Sequence, residues 1–208
     1  MNKQLFITIE GCDGAGKSTL IKGLKKKFIE LDYDFIVTKE PTILEMCGCE
    51  EPNCIERFHK MSFTPETELL LFLAARLHHI ENVIGPSLAK DKIVICDRFN
   101  DSTIAYQGAG MELGDDYVED LIRRILGTFE PDLTIYLDID PIKGLKRKKK
   151  DGDLDLIESK DIEFHTRVRE CYLDFIWLEP NRFFKVDGSK SKEKVLDEAF
   201  RIIQSKIT

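Results

Sequence analysis

The sequence lacks any apolar run near the roughly 20 residues that a membrane-spanning helix requires, although 42% of its 208 residues are hydrophobic. It also lacks an excess of positive charge, since the formal net charge is −7. No overall positive field therefore attracts nucleic acid or an anionic membrane. We expect neither as a partner, and any anionic substrate has to be bound by local Arg and Lys side chains.

Cysteine is scarce, and linker-like composition is missing. Six cysteines in 208 residues are too few for a disulfide scaffold, and residues 1–4 leave no room for a signal peptide before the first strand-like segment. We therefore expect reduced thiols and a cytoplasmic location, with Cys12, Cys96 and Cys171 lying in or beside apolar stretches. Without repeats or a Gly/Ser-rich or Pro-rich linker, this length predicts one domain over residues 1–208.

Five short apolar runs, rich in β-branched residues, predict the strands of the fold. They do not alternate polar with apolar residues, as expected for strands that are covered on both faces of a parallel sheet. Segments with helical periodicity lie between them, which predicts an α/β three-layer sandwich with a five-stranded parallel sheet. The predicted strands are Leu5–Ile9, Phe35–Val37, Ile93–Cys96, Leu133–Leu137 and Phe183–Val186. The predicted helices are Ser18–Leu31, one from Thr64 to near Gly85, Tyr117–Leu126 and Ser191–Ile207.

A phosphate-binding loop follows the first predicted strand. Residues 11–18 match G-x-x-x-x-G-K-S, in which successive backbone N–H groups and the next helix N-terminus surround phosphate oxygens. Lys17 would reach the β- and γ-phosphates, and the Ser18 hydroxyl would ligate Mg²⁺. The motif predicts a P-loop nucleoside triphosphate hydrolase-like fold and an ATP-binding set of Gly11, Cys12, Asp13, Gly14, Ala15, Gly16, Lys17, Ser18 and Thr19.

The third predicted strand ends in a carboxylate, Asp97, which Arg98 follows directly. In a P-loop fold such a carboxylate lies near the metal ion, and open α/β sheets bind ligands at the carboxyl ends of their strands. Four apolar residues before an Asp are also common in ordinary strands, so this pattern alone leaves both interpretations open.

P-loops occur in GTPase switches, motor ATPases and small-molecule kinases. A GTPase needs Asn/Thr-Lys-x-Asp to select guanine, and the nearest segment, residues 38–41, has Pro41 where Asp is required. A kinase needs a mobile cationic lid, because cations that close on the transferred group stabilise its charge and exclude water. The lid candidate is the segment at about 146–156, which contains a run of basic residues. Gly152 could serve as its hinge. A solvated charged face is the alternative.

A kinase also needs an acceptor pocket, for which the helix after Thr64 is the candidate. Residues 69–75 are apolar at every position, which predicts a helix buried on most sides. Arg76 follows and would need a partner if buried. Phe72 lies one turn earlier on the same face. The ring and the guanidinium could stack a flat base and donate to its edge, or they could be a core Phe and a salt bridge to an internal carboxylate.

The chain resembles the thymidylate kinase family over nearly its whole length. The block Asp-Arg…Ser-Thr-x-Ala-Tyr-Gln-Gly is the most specific of the matching motifs, because other P-loop kinases seldom contain it. The matching segments are residues 6–19, 39–41, 72–76, 97–108, 131–138, 144–147 and 164–169.

The resemblance implies a kinase that transfers the γ-phosphate of ATP to dTMP, with Mg²⁺ as cofactor, and a homodimer formed through helices. It implies that Phe72 stacks on thymine, Arg76 donates to O4, Arg98 holds the monophosphate, and Tyr106 packs under the deoxyribose. The implied catalytic residues are Lys17, Arg98, Arg147 and Lys149, and the implied metal ligands are Ser18 and Asp97. The implied dTMP-binding residues are Asp13, Glu40, Pro41, Phe72, Arg76, Arg98, Ser102, Thr103, Tyr106 and Gln107.

One residue places the chain beside a subgroup of the family, and two segments depart from the family pattern. Ala15 stands where one subgroup has a P-loop arginine, so the chain is similar to the subgroup that uses lid cations. The lid has Lys149 at a site that is usually arginine. Lysine offers a point charge but lacks the planar guanidinium that donates two parallel hydrogen bonds. The excursion at about 42–63 lacks a clear counterpart of the family's phosphate-binding arginine, for which Arg57 is the only candidate that we assign.

The same excursion contains Cys47, Cys49, Cys54 and His59. These residues could form a Cys₃His zinc site, but the spacing differs from that of common zinc fingers, and reduced thiols in a surface loop are the alternative. For the whole chain, two alternatives to a dTMP kinase stay open: a kinase for another nucleoside monophosphate or a deoxynucleoside, and a non-enzymatic nucleotide-dependent switch.

Overall fold

Five parallel strands form one sheet in the order β2-β3-β1-β4-β5. The computed structural model describes residues 4–43, 48, 61, 63–151, 157 and 160–207. The strands are β1 (Leu5–Glu10), β2 (Phe35–Lys39), β3 (Ile93–Asp97), β4 (Leu133–Asp138) and β5 (Phe183–Asp187). The predicted number, positions and parallel direction of the strands are confirmed.

The three central strands are buried along almost their whole length. Every residue of β1 is buried, and β3 and β4 become less buried only at Asp97 and Asp138, where they end. Continuous apolar runs of this kind suit strands with helices on both faces. At the edge, β2 is only partly buried. The polar ends of β3 and β4 therefore lie together at the carboxyl edge of the sheet, beside the P-loop that follows β1.

Helices cover the sheet on both sides, which confirms the three-layer sandwich. They are α1 (Lys17–Glu30), α2 (Pro65–His79), α3 (Gly85–Leu88), α4 (Asn100–Thr103), α5 (Asp115–Leu126), α6 (Pro141–Asp151), α7 (Ile162–Leu178) and α8 (Lys192–Ile207). On one face, α1 and α8 pack in a core cluster that includes Leu24, Phe28 and Ile203. On the other face, α2, α5 and α7 share a second cluster around Leu73, Ile122 and Tyr172.

The helix that begins after Thr64 follows its sequence signals at the start but not along its length. Thr64 caps α2 by accepting a hydrogen bond from the Thr67 backbone N–H at 3.3 Å, as Thr at this position favours. A π-helical segment, Ile80–Ile84, joins α2 to α3. The helix is buried on most sides, as expected, but it leaves one exposed stripe that includes Ala74 and Leu70, which is 55% exposed.

Three helices, α4, α6 and α7, were not predicted. The first half of the basic lid segment is the end of α6, while Gly152 and residues 153–156 lie outside the described residues. The helix α7 is capped by Asp161, whose carboxylate accepts from the Phe164 backbone N–H at 2.8 Å. Cys12, Cys96 and Cys171 are free and buried, as expected. No helix in the described part of the chain is long and apolar enough to cross a membrane.

Candidate active site

The P-loop, residues 11–18, turns tightly between β1 and α1. Gly14 and Gly16 have φ values of 73° and 101°, in the left-handed region that glycine adopts without strain. A Cβ on Gly14 would lie only 2.0 Å from the carbonyl oxygen of Gly144 in α6. The loop therefore needs glycine both for its backbone turn and for its close approach to the helix that carries the basic run.

A cavity of about 690 Å³ opens over this loop, and we call it the P-loop cavity. Residues 13–19 line it, which is seven of the nine predicted ATP-binding residues. Gly11 and Cys12 do not line it; Cys12 is buried, and Gly11 accepts a hydrogen bond of 2.8 Å from Lys17 Nζ through its carbonyl oxygen. The remaining lining residues include six further cations, Lys39, Arg98, Arg147, Lys148, Lys190 and Lys192.

Two of the predicted catalytic cations lie on α6, but only one lines the P-loop cavity. Arg147 Nη1 donates to the Gly188 carbonyl oxygen at 2.9 Å and approaches that of Gly14 at 3.5 Å. It thus joins the P-loop to the loop that follows β5. Lys149 is exposed and does not line either of the two cavities that we describe.

Arg98 stands where the P-loop meets the end of β3. Its φ of 70° is unusual for a residue with a side chain and is a form of local strain that often marks functional sites. Its guanidinium donates to Asp13 Oδ1 at 2.6 Å and to Ser102 Oγ at 3.2 Å, and it lies 4.8 Å from the Tyr106 ring centroid. Burial alone would raise the pKa of Asp13, but the charges of Arg98 and Lys17 lower it to about 2.

A second cavity, of about 230 Å³, lies on the far side of Arg98, and we call it the Phe72 cavity. All ten predicted dTMP-binding residues line it. They come from the P-loop, the turn after β2, α2, the end of β3, α4 and the π-helical segment Ile104–Gly110. Residues that are as much as 94 positions apart in the chain therefore surround one small space.

Arg76 is buried in the wall of the Phe72 cavity and is held by an ion pair. Its Nε lies 2.6 Å from Glu40 Oε2, and the other oxygen of Glu40 is 3.0 Å from His79 Nδ1. His79 Nε2 in turn lies 2.7 Å from Thr38 Oγ1. Among the described residues, Arg76 Nη1 has no hydrogen-bond partner. The salt bridge to an internal carboxylate thus exists, and it leaves one donor of the guanidinium unused.

Asp97 and Ser18 both line the P-loop cavity, as expected of the two predicted metal ligands. The Oδ1 atom of Asp97 is buried and finds no hydrogen-bond partner within the described part of the chain. The four residues of the zinc hypothesis and Arg57 lie outside the described residues. Elsewhere in the described ranges, no group of three His, Cys, Asp or Glu could hold a metal ion.

Glu10, at the end of β1, supports the Arg98 segment from behind and was not predicted as a site residue. Its carboxylate accepts from Ser102 Oγ at 2.6 Å, from the Phe99 backbone N–H at 2.7 Å and from the Tyr172 hydroxyl at 2.8 Å. Burial, and then the negative charge of Asp101, raise the pKa of Glu10 to about 7. Its place directly before the P-loop was a usable signal, whereas Tyr172, 162 positions away, offered none.

Glu68 is another residue of the Phe72 cavity that sequence reasoning missed. It lies four residues before Phe72 and eight before Arg76, so the three share one face of α2 and line the same cavity. Gln107 Nε2 donates to Glu68 Oε1 at 2.7 Å. Burial raises the pKa of Glu68, and the hydrogen bond from Gln107 opposes that shift.

Comparison with known proteins gives one consistent result. A family model described as thymidylate kinase matches residues 9–199. The chain is 41% identical over 209 residues to a thymidylate kinase of Protochlamydia amoebophila, covering 97% of this chain and 93% of the relative. It is 40% identical to a thymidylate kinase of Bacillus cereus strain Q1, with 99% of each chain covered. The solved structure of thymidylate kinase from Ehrlichia chaffeensis aligns with a TM-score of 0.74 and 29% identity, covering 97% of this chain and 99% of that one.

Proposed function

The chain belongs to the thymidylate kinase family and phosphorylates dTMP to dTDP, and from this premise we propose that the P-loop cavity holds ATP and the Phe72 cavity holds dTMP. The single observation that carries this assignment is that Asp13, Glu40 and Arg98 line both cavities. The two cavities therefore meet at a cation, where the phosphate groups of donor and acceptor have to come into line.

In the P-loop cavity, Lys17 neutralises the β- and γ-phosphates. Its ammonium group donates a hydrogen bond to the Gly11 carbonyl oxygen. Burial and, after it, the positive charge of Arg98 lower the pKa of Lys17. A phosphate group would replace those weak neutral acceptors with charged ones. The backbone N–H groups of the P-loop and the N-terminus of α1 supply the remaining donors.

In the Phe72 cavity, the base stacks on Phe72, and Arg76 donates to its O4 atom. Support comes from Nη1 of Arg76, a buried donor in the cavity wall without a partner among the described residues. A buried donor of this kind is costly until a ligand satisfies it. Glu40 acts as the positioning residue that orients the guanidinium, while Ser102, Thr103 and Gln107 complete the wall and Tyr106 supports the sugar.

The reaction needs no general base from the protein. The acceptor is a phosphate monoester whose second pKa is about 6, so its oxygen is already anionic at neutral pH. The protein has to align the two phosphates and neutralise their charge. Arg98 holds the acceptor phosphate with a guanidinium that Asp13 and Ser102 already orient.

Mg²⁺ is the metal whose preferred ligands fit the residues present. The unpartnered oxygen of Asp97 and the hydroxyl of Ser18 are hard oxygen donors, and a Mg²⁺ site commonly takes one or two protein ligands with the rest from phosphates and water. When bound, the ion would neutralise charge on the β- and γ-phosphates.

The cation that assists transfer comes from α6, which is the feature of the lid-cation subgroup. Ala15 offers no charge within the P-loop, whereas Arg147 lines the P-loop cavity. We assign the assisting role to Arg147, with Lys149 as a second candidate that reaches the phosphates only if α6 or its continuation moves.

The chain also forms a homodimer in this proposal, through the outer face of α2 and α5. These two helices contribute neighbouring side chains to one core cluster, and each carries a large exposed residue, Leu70 at 55% and Tyr117 at 53%. A contiguous exposed apolar patch marks an interaction site, and in this proposal Leu70 and Tyr117 lie in one such patch. Sedimentation equilibrium of the wild type and of a Leu70→Glu variant tests this; a wild-type monomer at micromolar concentration would contradict it.

A coupled assay of ADP release with a panel of acceptors tests the main proposal. We expect dTMP to exceed the uridine, cytidine and adenosine monophosphates, and thymidine itself to be inactive, because Arg98 would lack its phosphate. Tight GTP binding without acceptor-stimulated ATP turnover would instead indicate a nucleotide-dependent switch.

A further inference from the structure

The hydrogen bond between Glu68 and Gln107 fixes which atom of an amide faces the Phe72 cavity. Gln107 is 2% exposed, and its amide nitrogen lies 2.7 Å from Glu68 Oε1. An ionised carboxylate can only accept hydrogen bonds, so the amide must turn its NH₂ group toward Glu68. The carbonyl oxygen, on the other side of the same amide, is then the group that Gln107 offers to the cavity that it lines.

The hydrogen-bonding edge of thymine matches a donor beside an acceptor. Thymine carries an O4 acceptor next to an N3–H donor, whereas cytosine carries a 4-amino donor next to an unprotonated N3 acceptor. Arg76 supplies the donor through its unpartnered Nη1, and the fixed carbonyl of Gln107 supplies the acceptor. With the Gln107 amide turned over, its NH₂ group would instead face N3 and would suit cytosine.

We propose that Glu68 is a specificity-determining positioning residue, whose carboxylate fixes the Gln107 amide so that the cavity accepts the N3–H of thymine and rejects the bare N3 of cytosine. Glu68 itself reaches no reacting atom in this scheme and acts only through Gln107. The inference rests on the assignment of the Phe72 cavity to dTMP, and it adds a residue outside the set predicted from the sequence.

The position of Glu68 on α2 supports this role. One face of α2 carries Glu68, Phe72 and Arg76, because they follow one another at intervals of four residues. The same face therefore provides the carboxylate that orients the Gln107 amide, the ring that stacks on the base and the donor to O4. A neighbouring carboxylate on the same helix, Glu66, is exposed and lies off this face. It provides a matched control.

The test compares dTMP, dUMP and dCMP as acceptors for the wild type, Glu68→Gln and Glu66→Gln. An amide at position 68 can both donate and accept, so the Gln107 amide loses its fixed orientation. We expect the ratio of kcat/KM for dTMP to that for dCMP to fall about tenfold or more in Glu68→Gln. In the wild type, the fixed Gln107 carbonyl has no donor to pair with when cytosine binds, and in the variant the amide can turn and remove this penalty. We expect the loss with dTMP to lie in KM, with kcat changed by no more than about twofold.

dUMP serves as an internal control, because it shares O4 and N3–H with dTMP and differs only in the 5-methyl group. The dTMP to dUMP ratio should therefore stay within about twofold in Glu68→Gln. A general loosening of the cavity around Phe72 would change this ratio as well, and that result would overturn the proposal. A dTMP to dCMP ratio that stays at the wild-type value would overturn it too. Neither result would affect the family assignment, which the wild-type activity with dTMP tests separately.

A double variant keeps the proposal testable if Glu68→Gln unfolds. In Glu68→Gln/Gln107→Glu, the amide at position 68 donates to the carboxylate at position 107, which still offers an acceptor to N3–H and preserves the net charge. We expect this exchange to restore most of the discrimination against dCMP, with all variants checked by thermal unfolding. A folded double variant that discriminates no better than Glu68→Gln would contradict the proposal.

Discussion

Arg98 Nη2 lies 2.6 Å from Asp13 Oδ1, and this contact joins the carboxyl end of β3 to the middle of the P-loop. Both side chains line the two cavities. The low pKa of Asp13 keeps its carboxylate charged throughout the physiological range. The P-loop and Arg98 are therefore fixed to each other without any substrate. If they hold the donor and the acceptor as we propose, this contact supplies the pre-alignment that phosphoryl transfer requires.

Arg98→Ala should remove the guanidinium that we propose binds the acceptor phosphate. We expect kcat/KM for dTMP to fall roughly 10³-fold, about 4 kcal/mol of transition-state stabilisation, with a much smaller change in KM for ATP. Arg98→Lys should recover only part of the activity, because an ammonium lacks the planar fork that reaches Asp13 and Ser102 together. Steady-state kinetics with each substrate varied measures both, and Arg201→Ala on the exposed face of α8 is the control. Near-normal turnover in Arg98→Ala would contradict the assignment of the acceptor phosphate.

Lys17→Ala should nearly abolish turnover while leaving dTMP binding intact. Removing a charge that faces the transferred phosphate is expected to lower kcat by roughly 10³-fold. Lys22→Ala, on the exposed side of the same helix, should behave like the wild type. Titration of each variant with dTMP separates the two cavities: a variant that loses dTMP binding along with turnover would indicate a folding defect and not a missing catalytic charge.

The main-chain architecture and the P-loop were predictable because their signals are local, whereas most residues of the Phe72 cavity were assigned only through the resemblance to a known family. A P-loop is eight consecutive residues, and the central strands are continuous apolar runs. The exposed face of α2 was not predictable, because the sequence between Leu69 and Ala75 is apolar throughout and does not say which side meets the core. Leu70 is exposed only because neighbouring helices cover the other side.

Other parts of the site depend on long-range packing that no local pattern encodes. Glu10 and Tyr172 are brought together by the stacking of α7 on the sheet, and α7 itself was missed. Glu68 was within reach of sequence reasoning, since its spacing of four residues from Phe72 equals that between Phe72 and Arg76. The single-domain organisation, the reduced state of the remaining cysteines and the role of residues 42–63 stay predictions.

Glu40→Ala should destabilise the protein strongly, because it leaves the buried Arg76 guanidinium without its counter-charge. Both side chains of the pair are at most 4% exposed, and removing one partner of a buried ion pair typically costs about 3–5 kcal/mol. The exposed pair between Glu119 and Arg123 on α5 is the contrast, since Glu119→Ala should cost less than about 1 kcal/mol. Urea unfolding at pH 7 measures both; equal effects would show that Arg76 is solvated in the native state.

The buried carboxyl of Glu10 should make stability fall as the pH rises toward neutrality. Its pKa is raised from 4.5 to about 7 on folding, so between these values the unfolded chain has released a proton that the native protein keeps. The slope of the unfolding free energy with pH is therefore negative in this window. Between pH 4.5 and pH 7, the unfolding free energy of the wild type should fall by on the order of 3 kcal/mol more than that of Glu10→Gln. Urea unfolding at several pH values gives the difference, and parallel pH profiles for the two proteins would contradict the raised pKa.

Arg147 and Lys149 should differ sharply as sources of the assisting charge, although they lie two residues apart on α6. Arg147 already bonds to the Gly188 carbonyl oxygen inside the P-loop cavity, whereas Lys149 points into solvent. We expect Arg147→Ala to lower kcat roughly 10²-fold and Lys149→Ala to lower it by less than about threefold. Single-turnover measurements at saturating ATP and dTMP separate the chemical step from product release. If Lys149→Ala proves the more damaging change, then α6 must rotate or extend on substrate binding, and the charge that stabilises transfer is delivered by closure and not held in place beforehand.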